Sequence, residues 1–153
     1  MADEVGVELS ILWRNGAVRL PEVANQYAIA SQQTGGTSGP DAEAFEPARE
    51  APGLMPDFND LMTPMGWIYP QWTSLRDTLQ LVLASTSENL SDTGACLVGI
   101  AEDYAESDEG NAKELLDQAK REGMYDVPPR QLVPHYPDGY NPAEENVAPP
   151  LDT

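Results

Sequence analysis

Between Pro70 and Pro128 the chain contains no proline, and large apolar residues recur through that interval at helical spacing. Trp72, Leu75, Leu79, Val82, Thr86, Leu90, Thr93, Leu97, Ile100 and Tyr104 follow one another at steps of three or four, which puts them on one stripe of an α-helix. Pro70 suits the first turn of such a helix, where its missing N–H leaves no bond unmade. At about 1.5 Å per residue, a helix from Pro70 to Asp108 is about 58 Å long. A helix of that length with a narrow apolar stripe needs a partner helix to cover it. The expected fold class is therefore all-α. It is a long antiparallel helical hairpin, with room for short extra helices, whose stripe packs on residues 10–32. Gly94 and Gly99 are its weak points, each costing up to about 1 kcal/mol relative to alanine.

The partner segment reads in two ways. Val5, Val7, Leu9, Ile11 and Trp13 alternate, and Asn15-Gly16 is a strong two-residue turn signal, so a β-hairpin ending near Leu20 is one reading. Leu9, Leu12, Gly16, Leu20, Val23, Tyr27 and Ala30 also step by three or four, with Ser10 as a possible cap, so a helix over 10–32 is the other. The second reading is favoured by the helical composition after Pro21, although that proline removes one backbone bond and bends or restarts the helix.

Between the two helices, residues 33–69 form a Gly-, Pro- and acid-rich linker. Phe58, Leu61, Met62 and Met65 fit one short amphipathic turn within it. Trp67 and Trp72 either plug the open end of the helix pair or anchor a partner. After the stripe, E-G-N-A-K-E-L-L-D-Q-A-K-R-E-G keeps helical composition, with basic residues in its last turn and Gly123 as the stop. This carries the long helix to residue 122 and closes a helical domain over 5–122. Residues 123–153 hold seven prolines and form an acidic tail that is disordered or extended along the surface.

Charge and composition exclude several functions. Twenty-six acids against eight Lys and Arg give a formal net charge of -18, the wrong sign for binding a phosphate backbone. No run of eighteen apolar residues is present, so no membrane insertion is expected. The beginning, M-A-D-E-V-G-V-E, is acidic where a Sec signal is basic and then hydrophobic. Cys96 is the only cysteine and is expected to be a buried, inert thiol. His135 is the only histidine and lies in the tail, so neither a catalytic triad nor a metal-histidine site can be assembled. The D-F-N-D run at residues 57–60 lacks the glycine and distal glutamate of a calcium loop. No enzymatic activity, cofactor or metal is expected.

One short pattern stands apart. Tyr104 and Asp108 lie four residues apart on one helix face, where the apolar stripe ends. With Y-A-E-S-D at its end, the run L-S-D-T-G-A-C-L-V-G-I-A-E-D-Y-A-E-S-D-E-G-N-A from Leu90 to Ala112 resembles the second-helix end of the EspC-like branch of type VII (ESX) secretion substrates. V-E-L-S-I-L-W with the later L-P-E-V-A is similar to that branch's first helix. The Trp-x-Gly turn of related small members is absent, the order here being Gly66-Trp67, and the segment between the helices is longer than theirs. Tyr140 and Glu144 also satisfy Tyr-x-x-x-acid, in the tail.

The resemblance implies a secreted substrate or substrate-associated partner of an actinobacterial type VII system. Such a protein is cytoplasmic until exported without a Sec signal, with Tyr104 and Asp108 as the secretion signal read by the secretion ATPase. A cytoplasmic helical binding protein, such as an immunity or chaperone partner of a secreted toxin, is the alternative. In either case a protein partner is expected, as a homo- or heterodimeric helical hairpin. It would dock on Trp67, Trp72 and a second apolar strip, Leu81, Leu83 and Val98, left outside the main stripe.

Overall fold

The computed structural model describes residues 2–45, 68–107, 112–123, 126–128 and 131–142, with side chains from Glu8 onward. Among these residues there is no strand, and the fold is all-α. The first helical run comprises α1 (Ala2–Arg14), a π-helical turn (Asn15–Arg19) and α2 (Leu20–Gly35). Asn15-Gly16 therefore lies inside a helix, and the β-hairpin reading falls. The π turn explains how Pro21 is tolerated. Leu20 N–H donates to the Asn15 carbonyl, five residues back, so the backbone widens one residue before the proline ring would press on the preceding turn.

Part of the expected linker is helical: α3 (Ser38–Phe45) follows α2 after a two-residue turn. The expected amphipathic turn at Phe58–Met65 lies outside the described residues. The long helix α4 runs unbroken over Tyr69–Ser107, 39 residues. It does not continue to residue 122. A separate α5 (Ala112–Gly123) turns back, since Lys120 Nζ reaches Glu102 Oε1 at 2.7 Å, whereas eighteen residues of straight helix would span about 27 Å. Leu116 of α5 closes an apolar cluster with Leu9 and Trp13 of α1 and Ala101 and Ala105 of α4. Gly123 lies so close to Trp13 that a methyl group there would stand 2.8 Å from the indole ring.

The α1–α2 run lies antiparallel to α4, and the seam between them is built from small residues. Gly35 faces Gln80, Ala24 faces Ser87, and Gly16 faces Gly94. At the crossing the backbones touch. A methyl on Gly16 would be 2.6 Å from the Gly94 carbonyl oxygen, and one on Gly94 would be 2.7 Å from that of Gly16. Ala24, Ala28, Ala84 and Ala101 are fully buried, with Ser31 and Ser87 beside them. Ser87 donates to the Ala24 carbonyl at 2.9 Å, so the buried hydroxyl is satisfied across the seam.

This packing overturns the expected core. Much of the stripe read from the sequence faces outward: Leu75 is 63% exposed, Leu79 50% and Val82 55%, while Leu90 and Leu97 are half-buried. Backbones that approach closely leave space only for glycine, alanine and serine between them, so the bulky residues are rotated away from the seam. Cys96, expected to be buried, is exposed as well. It lies two residues from both Gly94 and Val98, about 200° around the helix from each, and those two face inward.

Candidate functional site

Two faces of the α2–α4 pair differ sharply. On one, residues 131–140 run back as an extended strap. Leu132 N–H donates to Asn25 Oδ1 at 2.8 Å and Gln32 Nε2 to the Val133 carbonyl at 2.9 Å. His135 N–H donates to the buried Ser31 hydroxyl at 3.0 Å. From α4, Gln80 Nε2 lies 2.8 Å from His135 Nδ1 and 3.1 Å from the His135 carbonyl oxygen. The Tyr136 hydroxyl donates to Glu88 Oε2 at 2.6 Å, and its ring stacks on Tyr140 with centroids 5.1 Å apart. Burial first, and then the Glu88 carboxylate, push the Tyr136 hydroxyl up to about 12. It remains a donor over the whole neutral range. Part of the tail is thus the surface-extended form of the two expected, while residues 143–153 lie outside the described residues.

The other face carries the stripe. On α2, Val23 and Tyr27 each stand two residues from Asn25, about 200° around the helix, and both are exposed. On α4, Leu79 is nine residues from Glu88, about 180° away. The strap therefore covers one groove, and the bulky apolar residues of both helices border the opposite one. Trp72 begins this exposed line and Tyr104, 64% exposed, ends it three residues before the end of α4.

The predicted site residues fall out as follows. Tyr104 is on the exposed face at the helix end, while Asp108 and Trp67 lie outside the described residues. Trp72 is partly used inside the chain. Its ring lies 6.2 Å from that of Phe45, and its side chain hydrogen-bonds Asp41 of α3. That bond, with those from Thr37 and Arg76, outweighs burial and holds the Asp41 carboxyl below its usual range. The second strip does not serve as the open surface. Leu81 borders a cleft of about 460 Å³ with Pro137 and Tyr140 of the strap. Val98 packs against the Leu9–Trp13 cluster, and Leu83 is half-buried. The open apolar surface is the main stripe, because the seam and the strap took the other faces of α4.

Sequence reasoning also missed His135. It looked idle in a proline-rich tail, and its partner, Gln80, is a polar residue at a 2%-exposed position. Only the polar residues Ser31 and Gln80 at inward helical positions hinted that this face would meet backbone rather than side chains. Among the described residues, no helix is long and apolar enough to cross a membrane, and no three His, Cys, Asp or Glu side chains converge as a metal site. No family model, curated protein or solved structure matches the chain.

Proposed function

We propose that this chain is an exported substrate, or substrate-associated partner, of a type VII secretion system, and that its bare face seats a second helical hairpin. One observation carries the reading: the apolar line has exposed residues at both ends, Trp72, Leu75, Leu79 and Val82 and then Ile100 and Tyr104, and it ends on the tyrosine of the Tyr-x-x-x-Asp pattern. An apolar helix face of this length in water favours a helical occupant that lies along it. Charge chooses between occupants. Two copies would each bring a net charge of -18, whereas a different hairpin with a neutral or basic rim would be attracted. The occupant is therefore a distinct, less acidic hairpin, and the secretion ATPase reads Tyr104 near the end of α4 together with Asp108, four residues on in the sequence.

Export from the native host tests this. Because its ring is largely in solvent, Tyr104→Ala should leave helicity and intracellular amount normal. Asp108→Asn keeps shape and removes charge. Both should reduce the protein in the culture filtrate by about tenfold or more, while Glu144→Gln in the tail match should not. Wild-type protein that never leaves the cell, or variants exported like it, would refute the secretion reading and leave a helical binding partner that acts inside the cell.

A further inference from the structure

His135 is the only histidine of the chain, and its ring meets the most deeply buried amide of the strapped groove. An amide nitrogen carries hydrogens and accepts nothing. Gln80 Nε2, 2.8 Å from Nδ1, therefore requires a lone pair on that ring nitrogen, and the ring's single hydrogen sits on Nε2. Inverting the Gln80 amide would not accommodate a proton on Nδ1, because its oxygen would then face the His135 carbonyl oxygen that Nε2 now serves at 3.1 Å. The contact is close on its inner side, while the outer side of His135 is open to solvent. The notch is floored by Gly35, where a methyl would stand 2.5 Å from Gln80 Nε2 and 2.8 Å from His135 Nδ1. The neighbouring Ser31 hydroxyl already donates to the Ala28 carbonyl at 2.8 Å, and so accepts the His135 N–H.

We propose that the strap is a proton-operated clasp: protonation of His135 sets two donors face to face at Gln80 and releases residues 131–140 from the α2–α4 groove. No charged side chain of α2 meets the ring; Ser31, Gln32 and Gly35 are neutral. On α4, Asp77 is held by Arg76 at 2.7 Å and Glu88 by the Tyr136 hydroxyl. On α3, Asp41 faces Arg76 at 3.4 Å, and Asp138 lies in the strap's own turn. None of these carboxylates bonds the imidazole, so none offers the new N–H an acceptor. Release uncovers Ser31 and Gln80, buried polar groups that now hold an extended backbone. The clasp belongs to this chain alone and does not depend on the export reading.

Amide hydrogen exchange of the full chain tests it, with rates corrected for intrinsic pH dependence. The reporters are the Leu132 and His135 N–H groups, both bonded to α2 side chains. From about pH 7.5 to about pH 5, their protection should fall about tenfold or more, as expected when a buried donor loses its acceptor, while helicity by circular dichroism is unchanged. His135→Asn places an amide oxygen where Nδ1 was, and should keep the strap protected at both values. His135→Ala should leave it unprotected at both. Unchanged protection in the wild type overturns the clasp. So does an equal acid loss in His135→Asn, which would assign the effect to the carboxylates, and so does loss of helix in step with the strap.

Discussion

The two faces of the α2–α4 pair are made by the same helices and solved in opposite ways. The strapped face is polar, and its groups are met by the chain's own backbone: Asn25, Ser31, Gln32 and Gln80 each bond residues 132–135. The bare face is apolar, bordered by Leu75, Leu79, Val82 and Tyr27, all exposed, with Val23 at its edge in a cleft shared with Val127 and Pro128. Between them runs a seam lined mainly by glycine, alanine and serine, tightest where Gly16 meets Gly94. Side-chain size, more than hydrophobicity, decided which face of α4 became interior. Fully buried alanines give up less water-exposed area than leucines would, and the Gly16–Gly94 approach compensates with close backbone contact.

The largest effect expected from breaking this arrangement is at the crossing. Gly94→Ala would put a methyl 2.7 Å from the Gly16 carbonyl oxygen, an atom of backbone that cannot swing aside. The helices must part, and a loss of about 3 kcal/mol is expected from overpacking. Gly99, on the same helix, has nothing within 4 Å of the same methyl, so Gly99→Ala should stabilise by about 0.5–1 kcal/mol through helix propensity. Urea unfolding of the two variants reads the contrast directly. Equal effects would mean that the seam tolerates a wider spacing than the structure has.

A smaller effect separates the seam from the bare face. Leu79→Gln and Val82→Gln act on residues 50% and 55% exposed, and each should change stability by less than about 0.5 kcal/mol. Ala84→Gln, at a fully buried position between them and the strap, should cost about 2 kcal/mol or more. Thermal melts of the three variants decide it. A large loss at Leu79 or Val82 would show that the stripe is packed within the chain after all, and would remove the surface on which a partner is proposed.

These contrasts also mark what the sequence disclosed. The length and continuity of α4 were legible because spacing and the absence of proline are local properties, and the structure has the helix over Tyr69–Ser107. Which of its faces is interior was not legible. Periodicity marks an apolar face but does not say whether the chain itself or another molecule covers it, and Ala84, Ser87, Gly94 and Ala101 carry almost no hydropathic signal. The packing of α5 against α1 and the route of the strap depend on contacts about a hundred residues apart, such as Gly123 with Trp13 and Leu132 with Asn25. At the candidate site, Tyr104 was placed where the apolar stripe ends, inside a helix expected to reach residue 122, whereas α4 stops at Ser107. Leu81 and Val98 were assigned to the open surface only because the stripe had been given to the core.

The smallest effect lies where the bare face begins. Asp41 joins α3 to α4 by accepting from Trp72, Thr37 and Arg76, and its carboxyl is held below the usual range chiefly by the Trp72 bond. A carboxyl with a lowered folded-state value adds stability that is present above its unfolded value, about 3.9, and is lost as pH falls through the folded one. The contribution is small because desolvation opposes the hydrogen bonds and Arg76 is shared with Asp77. The melting temperature of the wild type should therefore exceed that of Asp41→Asn slightly at neutral pH, by an equal margin at about pH 5, and by progressively less below about pH 4. This sets the α3 contact, which answers to a carboxyl, apart from the proposed clasp, which answers to the His135 ring. A gap between wild type and Asp41→Asn that persists unchanged to about pH 2 would mean that the charge of Asp41 contributes nothing. Trp72 would then be held by its ring contact with Phe45 alone, and more of its indole would be available to whatever docks along the stripe.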